Sequence, residues 1–109
     1  MNETEMKEFT TSSKLILRDY LEIFRRLLPC SGRGNLERDL VNMIDVLETM
    51  VSGFATGTPE QEVNLIRDMF HDCYSIVEHN IPAWLVNDIN TAHGNSHHVR
   101  QIQSRCMEL

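Results

Sequence analysis

At 109 residues, 41% of them hydrophobic, the chain suffices for one domain and leaves no room for a second core. Ten basic residues against sixteen acidic give a net charge of −6, which argues against a nucleic-acid binder. The cysteines Cys30, Cys73 and Cys106 offer neither a disulfide framework nor a CxxC pair, no stretch approaches the roughly 18 apolar residues of a membrane span, and the acidic start MNETEMKEF lacks a signal-peptide core. The expectation is a cytoplasmic protein in a reducing compartment, working away from membranes.

Asn2 followed by Glu5 resembles a capping box, so a helix can start almost at once, with Met6 and Phe9 as its first apolar points. Thr10-Thr11-Ser12-Ser13 interrupts, because hydroxyl side chains compete for backbone hydrogen bonds. Two readings stand: one helix runs through, or a second begins with Ser12 or Ser13 as its N-cap. From Lys14 to Leu28 the apolar residues form two adjacent rows: Ile16, Tyr20, Ile23 and Leu27, then Leu17, Leu21, Phe24 and Leu28. An ordinary surface helix carries one stripe, so this one must meet several neighbours and is expected at the centre of the fold. Pro29 should end it by pushing the preceding residue out of α geometry. Cys30 to Gly34 reads as a connector; its glycines lack the lysine and preceding strand of a phosphate-binding loop.

Asn35 is expected to cap the second helix, which buries Leu36, Leu40, Met43 or Ile44, Leu47 and Met50 or Val51. Gly53 falls near its end, with Phe54 folding back as an anchor. Thr58-Pro59-Glu60-Gln61 then has a cap, a proline at the first helical position and a closing glutamine. The third helix should bury Val63, Ile66, Phe70, Cys73 and Val77, with Leu65, Met69 and Ile76 alongside. Pro82 breaks it and opens a short fourth helix carrying Trp84, Leu85 and Ile89 inward. His93 to Ser96 is a stop followed by a cap. In the tail, Val99, Ile102, Cys106 and Leu109 form a thin stripe whose cover must be the bundle itself or a second protomer, making a homodimer an expectation. No strand alternation occurs. The predicted fold is all-α: one domain over 1–109, with helices near 3–28, 35–52, 59–79, 82–92 and 97–108. Leu17, Tyr20, Phe24, Leu40, Leu47, Ile66, Phe70 and Trp84 are expected in its core.

No stretch carries a diagnostic catalytic or cofactor motif, so the expectation is a protein without enzymatic activity or cofactor. A metal site would draw on Asp68-x-x-His71, on Asp68, Asp72 and His79 spaced by four and seven, and on His97, His98 and Cys106. The simpler reading of these residues is the polar face of an amphipathic helix. Cys73 lies on the apolar stripe, whereas Cys30, near Arg25, Arg26 and Arg33, is the better candidate for a reactive thiol. Those arginines and Arg38 could bind an acidic ligand, but Glu22, Glu37 and Asp39 lie among them and mutual pairing is expected. Charge is unevenly distributed: residues 41–92 hold eight acids and the single base Arg67. Acidic helical modules of this size can act as regulators, inhibitors or immunity-type partners of basic proteins, since complementary fields speed association and select partners. The expected function is therefore protein–protein interaction with a basic partner through Glu60, Glu62, Asp68, Asp72 and Glu78. A metal- or ligand-binding bundle using His/Asp/Cys side chains, and an obligate structural subunit, are the alternatives.

Overall fold

The structure, a computed structural model, describes residues 1–53 and 57–108, so the expectations for Phe54 and Leu109 lie outside the described residues. The described residues form five α-helices and no strand: α1 Glu3–Leu27, α2 Asn35–Val51, α3 Pro59–Asn80, α4 Ala83–Ala92 and α5 His98–Glu108. The Asn2 carboxamide accepts the Glu5 amide at 2.8 Å and starts α1. The helix then passes through the hydroxyl run without a break. Phe9, Ser13 and Ile16 keep one phase and are all buried, and Thr11 turns its hydroxyl back to the Lys7 carbonyl. Burial on both sides thus outweighs the pull of four hydroxyl residues toward a cap.

Both apolar rows of α1 are buried, from Ile16 to Leu27, with Leu28 partly covered. Helices α2, α3, α4 and α5 all pack on α1, and one hydrophobic cluster joins them. At 1.5 Å per residue the 25-residue α1 is about 37 Å long, which sets the 42 Å long dimension of the molecule. Its end differs from expectation. Leu28 keeps α geometry despite preceding Pro29, and the chain tightens into a single 3-10 turn, Leu28–Cys30, before it leaves the helix.

Asn35 is not the cap of α2. Gly34 takes that place at φ 141°, a conformation open mainly to glycine, and Asn35 becomes the first helical residue, its side chain accepting from Arg38. The box at Thr58 forms as read, with the threonine hydroxyl accepting the Gln61 amide and the Gln61 side chain accepting the Thr58 amide at 3.0 Å. Gly57 precedes it at φ 72°, where a Cβ would collide with the Gln61 carboxamide.

Trp84 is a correction. It is 55% exposed, whereas Leu85 and Ile89, four residues apart, carry the buried stripe of α4. Trp84 shares its face with Asp88, which is exposed, so ring size suggested a core position that helical phase does not allow. Leu65 is likewise at the surface. Between α4 and α5 the chain turns at Gly94, and Asn90 holds the turn: its Nδ2 donates to the Ser96 carbonyl and its Oδ1 accepts the Val99 amide, both at 3.0 Å. Ser96 therefore does not cap α5 with its side chain; the buried Asn90 performs that task. Val99, Ile102 and Cys106 are buried against the protein's own helices, so those tail residues need no second protomer to cover them.

Phe70 is 5% exposed and meets Phe9 edge-on at 6.5 Å. Replacing Phe70 by alanine should cost about 3–5 kcal/mol in urea unfolding, the usual range for emptying an aromatic core site. Ser13 is fully buried with no partner for its hydroxyl among the described residues. Ser13→Ala should therefore raise stability by about 1 kcal/mol by removing an unsatisfied polar group.

Candidate functional site

The five acids read as one recognition face are spread around α3. Glu60, Asp68, Asp72 and Glu78 are exposed, whereas Glu62 is half-buried in a crevice with Lys14, Leu17 and Ile66. At 3.6 residues per turn Glu60 and Glu78 coincide in direction, while Glu62 points roughly 160° away from them. Glu78 also accepts a hydrogen bond from Gln103 Nε2 at 3.4 Å. Asp68 and Asp72 remain together on one edge of the helix.

Asp72, on that edge, faces a cleft. Helices α2 and α3 lean on α1 from different sides and nowhere come within 8 Å of each other, Cα to Cα. The space between them, about 340 Å³, has Asp39, Asn42 and Met43 on the α2 wall and His71, Asp72, Ser75 and Ile76 on the α3 wall. Asp39 was expected to serve the nearby arginines. Instead Arg25 pairs with Glu48 at 2.9 Å, Arg26 with Glu22 at 3.6 Å, and Arg38 turns to Asn35. Asp39 thus has no ion pair among the described residues, and its carboxylate is left to the cleft.

The residues weighed for a metal site go to different places. His71 is well exposed, with Nδ1 3.8 Å from Asp72, and His79 directs Nδ1 to the Ser75 carbonyl at 2.8 Å. Asp68 is one turn away on the outer surface, and His97 is exposed at the start of α5. Cys106 is buried and donates to the Phe70 carbonyl. Among the described residues no three His, Cys, Asp or Glu side chains converge on a point that could hold a metal ion. His71 and His79 do share one surface, the outer groove between α3 and the end of α5, where they sit with Arg67, Phe70, Tyr74 and Met107.

Sequence reasoning missed the polar contacts that join distant parts of the chain. His93 Nε2 lies 2.7 and 3.0 Å from the two Glu22 oxygens, and the His93 ring stacks on His98 at 3.7 Å. Burial, and then the neighbouring His93, hold the His98 imidazole below the ordinary histidine range. Arg105 reaches Asp19 at 3.1 Å on the same side. Deeper in, the Tyr20 hydroxyl bonds Gln103 Oε1, and Gln103 Nε2 donates to the Tyr74 carbonyl at 3.2 Å. Burial pushes the Tyr20 phenol far above its usual range, so it remains a donor. Partners 71 and 83 residues apart leave no local spacing from which they could be read.

The three thiols separate cleanly. Cys30 is exposed, whereas Cys73 and Cys106 are buried and burial raises both thiols above the ordinary cysteine range. Iodoacetamide at neutral pH should alkylate Cys30 in the native protein, while mass spectrometry should find Cys73 and Cys106 modified only after denaturation, since the thiolate is the reactive form.

No protein-family model, curated protein or solved structure matches the chain.

Proposed function

We propose that this chain is a non-catalytic helical interaction protein whose α2–α3 cleft receives a basic segment of a protein partner. The observation that carries the reading is the cleft's make-up: Asp39 and Asp72 stand on opposite walls, with Met43 and Ile76 providing apolar surface. A lysine or arginine side chain suits that combination, because its aliphatic stem packs on apolar surface while its charged end meets a carboxylate. Asp68 extends the acidic edge by one turn, and Glu60, Glu62 and Glu78 add to the field that draws a basic partner in from a distance. The three free cysteines accord with work in a reducing, cytoplasmic compartment.

A synthetic peptide of alternating lysine and serine provides the test, with a glutamate–serine peptide of the same length as control. The lysine peptide should shift the amide signals of Asp39, Met43, Asp72 and Ile76, and its association should slow as salt rises, because exposed charges are screened beyond about 8 Å at physiological ionic strength. Reversing Asp68 and Asp72 to lysine should slow association about tenfold while changing dissociation much less, with far-UV circular dichroism unaltered, since both residues are exposed. An unchanged, salt-insensitive association rate in that double variant would overturn the proposal.

A further inference from the structure

On the other side of the crest formed by His71 and Ser75, the same helix borders a second groove of different character. Two hollows of about 410 and 370 Å³ share Tyr74 and Met107 and so run together as one trough between α3 and α5. It extends from Arg67 to Ile81, about 21 Å at the helical rise. Its surface is largely apolar: Phe70, Val77 and Val99 form a buried floor, and Ile81, just past α3, and Val86 of α4 stand partly open beside it. Met107 stands 71% exposed on the α5 side. A flexible thioether on an open apolar surface adapts readily to a partner's side chains.

The charge of this trough runs against the rest of the chain. Arg67, the one base in residues 41–92, lies at one end, and Arg100 lines the other hollow. His71 and His79 line the same hollow as Arg67, His79 at its far end twelve residues along α3. Glu78 is the sole carboxylate among the described lining residues, and it is engaged by Gln103. In a protein with sixteen acids and ten bases, such a surface selects against basic segments and favours one with acids at its ends.

We infer that the α3–α5 trough is a second docking site, and that its occupant is an amphipathic α-helix of a partner protein with acidic residues near both ends. A trough between two helices can receive a third helix laid along it, whose apolar side chains at i, i+4 and i+7 would meet Met107, Tyr74 and Ile81. Its terminal carboxylates would meet Arg67 and Arg100. The inference is independent of the acidic cleft, which lies on the opposite side of the crest.

The test uses two peptides of about sixteen residues, each with leucines at helical spacing, one with glutamates and the other with lysines at its ends. NMR titration of the full chain, followed at the amides of Tyr74, Gln103 and Met107, should find the glutamate-ended peptide bound at that site at least about tenfold more tightly. The double variant Arg67→Glu/Arg100→Glu should invert the preference. Met107→Asp, at a side chain too exposed to matter for folding, should weaken binding by about tenfold. Equal or tighter binding of the lysine-ended peptide at those trough amides of the native protein would overturn the inference. So would shifts confined to the α2–α3 cleft, unchanged binding by Met107→Asp, or failure of both peptides to bind.

Discussion

Ile16, Tyr20, Ile23 and Leu27 on one row of α1, and Leu17, Leu21 and Phe24 on the next, are all less than a tenth exposed. One neighbouring helix covers a stripe of only about 100°, so two rows cannot be covered by one partner. The remaining four helices are therefore drawn to α1, and the fold takes the form of a hub with helices around it. Without α1 they would share few contacts, because among them only α3 with α5 and α4 with α5 lie close together.

The two surface clefts are consequences of that hub. Helices competing for one central rod cannot also pack closely on all their neighbours, since interaxial distances of 8–10 Å are set by side-chain size. Between α2 and α3 a gap remains; along α3 and α5, which do meet, the curved outer surfaces leave a shallow trough. The charges that distinguish the two are local accidents of helical phase on α3. Asp68 and Asp72 fall on one side of His71, Arg67 and Tyr74 on the other.

Helical phase and end chemistry made most of the architecture legible. The double row of α1, the Asn2 and Thr58 boxes and the stripe Val63, Ile66, Phe70, Cys73 and Val77 all depend on residues within a few turns of one another, and helix boundaries followed to within about one residue. Trp84 misled because a large ring was weighted above the phase of Leu85 and Ile89. Gly34 and Asn90 took capping roles that the sequence assigned to Asn35 and Ser96, since a cap depends on backbone angles and on groups brought in by tertiary packing. The candidate site was legible only as excess acid in residues 41–92. Its division into an acidic cleft and a basic-rimmed trough depends on which helices meet and which do not, and the periodicity of a single helix does not encode that.

The docking of α5 on α1 ties residues near 100 to residues near 20, as the contact of Arg105 with Asp19 and that of Gln103 with Tyr20 show. During synthesis, at roughly 5–20 residues per second, part of the apolar surface of α1 must wait several seconds for its final cover. Until α5 leaves the ribosome, that surface is a sticky, incomplete object of the kind chaperones hold. The order of helices along the chain, more than their individual strengths, thus sets when this protein becomes safe from misassembly in the cell.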